Sequence, residues 1–188
     1  MSGLRKYAVD ITLDPNTAHG ELHLENQTVT VDSDKTRPDH PERFQRCQQV
    51  LCHEGLKGKA YWEVDWKGRT VVGVAYKSIS RDGLDESMLG CNEKSWSLEC
   101  STFIVKHQNK PEHLQVPVSR SGRLAVYLDF DGGTLSFYSV SISFGTLSHL
   151  HTFKTKFNES LYPGFEVSQS VTIVQVKRTN VPSKLQTS

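Results

Sequence analysis

Leu124-Ala125-Val126-Tyr127-Leu128-Asp129-Phe130-Asp131-Gly132-Gly133-Thr134-Leu135-Ser136-Phe137-Tyr138 is the stretch that decides the fold. Leu124, Val126, Leu128 and Phe130 recur at every second position, so in an extended chain they line one face. Leu135 and Phe137 resume the pattern after Asp131-Gly132-Gly133. That break reads as a tight hairpin, because glycine supplies the positive φ such turns need.

The same alternation extends outward in both directions. Val9, Ile11 and Leu13 alternate with polar neighbours, as do Leu22 and Leu24. Trp62, Val64 and Trp66 share one strand face, with Tyr61, Glu63 and Asp65 on the other. Val72, Val74 and Tyr76 follow, then Trp96 and Leu98, Phe103 and Val105, and finally Val171, Ile173 and Gln175. Helical periodicity is nearly absent. Asp14-Pro15-Asn16 ends the first of these segments, since proline cannot donate to a ladder. Lys67-Gly68-Arg69 reads as a second tight hairpin. Short strands spaced by about ten residues predict an all-β sandwich or barrel. Trp62, Trp66, Trp96, Leu128 and Phe137 are its expected core.

Three long stretches lack alternation and read as loops: Asp32–Arg46, with one helical turn at Pro41-Glu42-Arg43-Phe44, then Ser78–Lys94, and Lys106–Pro117. Loops of this length in a compact domain are usually functional or mobile. Val181–Ser188 reads as a frayed tail.

The chain has 188 residues, 36% of them hydrophobic, 9% aromatic and 23% charged, which is an ordinary globular composition. Its 22 basic and 21 acidic side chains leave a net charge of +1 and no basic run longer than two residues. A phosphate-tracking surface needs clustered positive charge, so no nucleic-acid partner is expected. No apolar run is long enough to span a membrane, and Met1–Asp10 has no secretory h-region. Cys47, Cys52, Cys91 and Cys100 contain no C-x-x-C pair and read as small half-buried thiols of a reducing, cytoplasmic setting.

No catalytic constellation stands out. His149-x-His151 places two imidazoles on one strand face, but no third ligand follows, so no metal site is expected. Asp129-x-Asp131-Gly132 resembles the opening of a calcium loop but lacks its closing glutamate. There is no G-x-S-x-G elbow, and Lys57-Gly58-Lys59 opens no helix, so it is not a phosphate loop. Asn26-Gln27-Thr28 and Asn158-Glu159-Ser160 match glycosylation acceptors and read as ordinary surface. A rigid sandwich with polar loops commonly carries recognition.

Seven motifs in order resemble the PRY-SPRY family. Leu13-Asp14-Pro15-Asn16-Thr17-Ala18 is similar to the opening of the PRY segment, and Pro41-Glu42-Arg43-Phe44 with Val50-Leu51 to its end. Tyr61-Trp62-Glu63-Val64, Gly73-Val74-Ala75 and Ser95-Trp96-Ser97-Leu98 resemble successive SPRY strands. The hairpin quoted above and Leu161-Tyr162-Pro163-Gly164-Phe165 complete the set. The resemblance implies a bent sandwich of two antiparallel sheets with one or two short N-terminal helical turns. It divides the chain into an N-terminal extension (1–7), a PRY segment (8–58), a SPRY segment (59–178) and a tail (179–188), with 8–178 as one folded unit.

It also implies no active site and no cofactor. Loops at one end of the sandwich would bind a host or viral protein. On this chain that surface takes in the Asp32–Arg46 loop, Tyr76-Lys77, Glu99–His107, Ser139–Thr146 and Glu166–Ser170. Tyr76, Lys77, Arg81, Glu99, Ser101, Phe103, Phe144 and Gln169 are its candidate residues. Ala60 stands where many members have a histidine, so a phosphoantigen pocket is not expected; Glu99, Cys100 and Ser101 stand where some members place aromatics, which leaves Phe103, Tyr76, Phe144 and Arg81 as the candidate anchors. Details of style are similar to the fish tripartite-motif proteins. This implies a monomeric targeting domain of a ubiquitin ligase in innate immunity, whose parent oligomerises through a coiled coil. Fish NOD-like receptors and stonefish-type pore-forming toxins carry similar modules and are the alternatives.

Overall fold

The computed structural model describes residues 3–116 and 121–178, so the expected tail at Val181–Ser188 and Pro117 lie outside the described residues. In chain order a 3-10 helix (Gly3–Tyr7) precedes β1 (Leu22–Glu25), β2 (Thr28–Val31), β3 (Gln49–Leu51), β4 (Lys59–Lys67), β5 (Thr70–Tyr76), β6 (Ser95–Glu99), β7 (Ile104–His107), β8 (Lys110–His113), β9 (Arg123–Asp129), β10 (Thr134–Val140), β11 (Leu147–Lys154), β12 (Leu161–Val167) and β13 (Ser170–Val174). They form a seven-stranded sheet, β1-β2-β13-β4-β9-β10-β11, and a six-stranded sheet, β3-β12-β5-β6-β7-β8. β2 pairs with β13 and β3 with β12, so strands from both halves of the chain share each sheet.

The β9–β10 hairpin forms as its sequence predicts. Leu135 sits opposite Leu128 and Phe137 opposite Val126. Gly133 turns the chain at φ 68°, where a Cβ would collide with the Thr155 carbonyl. Between the sheets, Trp62, Val64, Val126, Leu128 and Phe137 meet Val72, Val74, Trp96, Leu98 and Phe165. Each such side chain contributes about 1.5–3 kcal/mol by leaving water. Trp96 lies edge-on to Tyr76 and Phe157 and stacks on His107, with ring centroids 4.5 Å apart. Gly73, in mid-β5, lies so close to β6 that a Cβ would run into the Trp96 carbonyl.

Five expectations need correction. Val9–Leu13 is not a strand; it makes only isolated bridges, Ala8 with Tyr61 and Leu13 with Cys52. Its alternation reported burial, Ile11 being 1% exposed, without ladder pairing. Lys67-Gly68-Arg69 is not a hairpin, because β4 and β5 belong to different sheets. Both strands bury one face in the same interior, so pairing and stacking leave the same pattern. The Lys106–Pro117 stretch is not all loop. Gln108 and Asn109, at φ 54° and 56°, turn β7 into β8, whose four residues are all exposed and so carry no apolar period. Pro41–Phe44 forms one hydrogen-bonded turn, Arg43 N–H to His40 O at 3.0 Å, and no helix.

The two histidines of β11 do not share a face. A bulge lets Phe137 pair with His151 and Tyr138 with His149, skipping Leu150. His149 therefore stands beside Tyr138 on the outer face, ring centroids 5.5 Å apart, while His151 turns inward against Phe153 at 4.5 Å. Burial pushes the His151 pKa down, opposed by Glu112 and reinforced by His149.

Candidate functional site

The outer face of the six-stranded sheet is not bare. Val71 and Ala75 of β5 point away from the main core into a second apolar layer with Leu51, Phe44, Ile79 and Leu89. Phe44 comes from the Asp32–Arg46 loop and Ile79 and Leu89 from the Ser78–Lys94 loop, so the two polar loops form a roof. Two arginines hold it in place. Arg43 is 7% exposed and donates from Nε to Pro38 O (2.9 Å) and from Nη1 to Pro15 O (2.8 Å) and Ala18 O (2.9 Å). Arg81 donates to the carbonyls of Ile79 (3.1 Å), Glu42 (2.7 Å) and Lys77 (2.8 Å), with its guanidinium 4.9 Å over the Phe44 ring. Burial pulls its pKa down, opposed by Glu42 and Asp14. Buried Gln49 closes the roof, donating to Ser87 O at 2.7 Å and accepting from Leu89 N–H at 3.0 Å.

Seven of the eight residues singled out from sequence fall into two groups. Tyr76, Lys77 and Arg81 lie at the C-terminal end of β5. Glu99 faces Val71 at the other end, beside the turn carrying Ser101 and Phe103. Gln169 follows β12, whose Val167 pairs with Thr70, so it belongs with Glu99. A strand rising about 3.3 Å per residue separates the two ends of β5 by roughly 20 Å. Phe144 stands apart from both groups, in the β10–β11 turn of the other sheet.

Their surroundings differ as well. Tyr76 is buried and its hydroxyl accepts the Asn158 N–H at 3.0 Å. Lys77 is exposed, its ammonium 3.9 Å from Glu42. Ser101 is half-buried and Gln169 exposed. Phe103 is half-buried against the main core at φ 54° and donates its N–H to Glu99 O at 3.0 Å. Glu99 is held by Arg69 Nε at 2.7 Å, and Arg69 Nη1 reaches Glu166 at 2.9 Å. Burial lowers the Arg69 pKa, but Glu166 and Glu99 more than reverse it. Arg69, just before β5, thus ties Glu99 at the end of β6 to Glu166 of β12 across β5, a role for Arg69 that sequence reasoning missed by assigning it to a hairpin. A cleft of about 280 Å³ at the Lys77 end is lined by Asp14, Glu42, His53, Arg81 and Tyr162. Ile142, beside Phe144 in the same turn, is exposed as well.

The four cysteines are buried and unpaired. Burial raises Cys47 to about 11 and pushes Cys52 and Cys100 further up, so none is primed as a thiolate.

Comparison with known proteins places this geometry. A family model for PRY, the SPRY-associated domain, matches residues 11–56, and one for the SPRY domain matches residues 59–178. Stonustoxin subunit beta of Synanceia horrida is 43% identical over 173 residues, 89% of this chain and 24% of the toxin subunit. Tripartite motif-containing protein 14 of Mus musculus is 39% identical over 175 residues, 86% of this chain and 38% of that protein. Among solved structures, the stonustoxin structure aligns with a TM-score of 0.84 at 41% identity, covering 91% of this chain and 28% of that one. The crystal structure of the TRIM65 PSpry domain aligns at 0.81 with 25% identity, covering 92% of this chain and 93% of that one. The chain therefore spans about a quarter of the length of the toxin subunits it matches.

Proposed function

This chain belongs to the PRY-SPRY family, a family of protein-interaction modules without catalysis of their own, and on that premise we propose that it is the partner-recognition domain of a tripartite-motif-type ubiquitin ligase. The observation that carries this reading is the end-to-end match with a PSpry domain, over 92% of this chain and 93% of the other. In such a parent an upstream RING performs the ligase chemistry and this domain chooses the host or viral protein to be marked. The setting is cytoplasmic innate immunity, which four reduced thiols support. The isolated domain is a monomer, and a coiled coil in the parent presents several copies, so avidity adds to single-site affinity. Within the proposed surface, Glu99, Ser101 and Gln169 form one contact group with Arg69, and Lys77 stands at a second.

A second reading has its own support. The stonustoxin subunits are more identical to this chain than tripartite motif-containing protein 14, at 43% against 39%. The domain would then be a module of a cytolytic toxin subunit. Sequencing of peptides from the native full-length protein tests both readings. An upstream zinc-binding RING with a coiled coil supports the ligase reading, and ubiquitinated partners should then be captured with the domain. A toxin body, or the nucleotide-binding body of a NOD-like receptor, removes it.

A further inference from the structure

The outer face of the seven-stranded sheet carries unbalanced charge at the end away from the β10–β11 turn. Lys59 of β4 lies opposite Asp129 of β9, Asp129 opposite Thr134 of β10, and Thr134 opposite Lys154 of β11. Residues directly opposed in a ladder share a face, so these side chains form one row. Ala60, Leu128 and Leu135 of the adjoining row face the main core, which turns the Lys59 row outward.

The Gly3–Tyr7 helix adds to this row. Tyr7 rests on Tyr127 of β9, with ring centroids 5.8 Å apart. Lys6 Nζ lies 5.1 Å and Lys59 Nζ 5.4 Å from the centre of the Tyr7 ring. Two ammonium groups thus converge on one half-buried ring, whose π face attracts each of them and neutralises neither. Lys6, Lys59 and Lys154 are exposed and form no ion pair among the described residues. The carboxylates nearby are engaged elsewhere. Asp129 accepts the Gly132 N–H at 3.0 Å inside the hairpin, and Asp10 accepts from Gln175 Nε2 at 3.3 Å. Further along the face, Glu63 is held by Arg5 (3.3 Å) and Asp65 by Arg123 (2.7 Å). The row therefore sets three unpaired lysines against one carboxylate.

Its dimensions suit an extended chain. Lys59 and Lys154 stand three strand spacings apart, about 14 Å. A segment crossing the strands covers that distance in four residues, at about 3.3 Å each, and turns alternate side chains toward the sheet.

We infer that this row, with Tyr7 and Tyr127, is a further docking surface, on the other sheet from the Lys77 and Glu99 groups. Its occupant is an acidic protein segment lying extended across the strands, with carboxylates at Lys6 and Lys59 and again at Lys154. The inference rests on the reading of this domain as a protein binder and adds a surface and a partner chemistry to it.

The test is an NMR titration of the isotope-labelled full chain with two synthetic peptides of equal length. One alternates glutamate with serine, and the other carries glutamine in place of each glutamate. The glutamate peptide should shift the amides of residues 5–8, 59, 127–129 and 154, and less so as salt is raised. The glutamine peptide should shift none of them. Combined Lys6→Gln and Lys59→Gln should weaken the glutamate peptide about tenfold, and Lys154→Gln about threefold. Lys110→Gln, an exposed lysine of β8, should leave its affinity unchanged. None of these changes should lower the melting temperature, because the side chains are in water. Shifts centred on Lys77 or Glu99 would overturn the inference while leaving the protein-binding reading intact. Equal shifts with the two peptides, no shift with either, or the same loss from Lys110→Gln as from the double variant would also overturn it. So would binding to phosphatidylserine vesicles that is lost in the double variant while the peptides leave the spectrum unchanged. Capture of ubiquitinated partners by the full-length protein tests the wider reading separately.

Discussion

The two outer faces of the sandwich carry apolar patches and treat them in opposite ways. On the six-stranded sheet, the Asp32–Arg46 and Ser78–Lys94 loops cover Leu51, Val71 and Ala75 completely, with Arg43 and Arg81 serving as the hydrogen-bond donors for loop carbonyls that water would otherwise satisfy. On the seven-stranded sheet a five-residue 3-10 helix lies over Tyr61, Ala125 and Val140, and Tyr127 and Tyr138 stay half-exposed. The difference teaches that polar composition in a loop does not make the loop a free surface. A guanidinium that meets three carbonyls is as much interior as a leucine, and the face with the shorter cover is the one left open to solvent.

Four outcomes would break or sharpen that contrast. Trp96→Ala removes a side chain that both sheets share, and should cost about 3–5 kcal/mol, enough to leave the domain largely unfolded. A native-like circular dichroism spectrum and melting profile would show that the core is not common to both faces. Arg43→Ala should lower unfolding free energy by about 2–4 kcal/mol in urea titrations, because several charge-assisted hydrogen bonds to buried carbonyls vanish together. Tyr7→Ala, on the lightly covered face, should cost only about 1 kcal/mol, chiefly its contact with Tyr127 at 5.8 Å. Equal losses for Arg43→Ala and Tyr7→Ala would erase the distinction between roof and strap.

The third outcome concerns pH. Cys47 sits under the roof, its Sγ 3.6 Å from the Leu84 carbonyl, and burial raises its pKa from 9.0 to about 11. The folded state therefore keeps a proton that the unfolded chain gives up. Its contribution is fully present below pH 9 and disappears as pH rises to about 11, with the unfolded state binding fewer protons across that window. Cys47→Ala should flatten that part of the alkaline decline in urea stability, and an unchanged slope would place the thiol outside the roofed layer. The smallest effect is expected at the rim. Glu99→Ala with Gln169→Ala should move stability by no more than about 1 kcal/mol, since an exposed Arg69 pair is screened by solvent. The same pair should abolish capture of a partner bound at that end. Retained capture would move the contact to Lys77 or to the Phe144 turn.

The legibility of the structure follows how each residue is buried. Strands with one face inward announce themselves, as Leu124–Phe130 and Trp62–Trp66 do, because burial alternates with the pleat. Phe44, Ile79 and Leu89 do not, since each is a single apolar residue in a polar loop and has no period to betray it. β8 was invisible for the opposite reason, being exposed on every residue. The candidate surface was legible in part. Lys77 and Glu99 could be placed at strand ends, but their separation along β5 depends on which strands lie side by side, and Arg81 looked like an anchor until its donors met carbonyls.

The sequence pattern alone determined that this chain is all-β, a sandwich or a barrel, which residues face its main core, and where the Asp131-Gly133 hairpin turns, because each of these depends on residues close in the chain. Only the tertiary structure decided that Lys67-Gly68-Arg69 crosses between sheets, that the polar loops roof a second core, that the Leu150 bulge parts His149 from His151, and that Phe144 is left in water. Each of these depends on contacts between segments distant in sequence, and a local pattern is the same whichever distant partner supplies the contact.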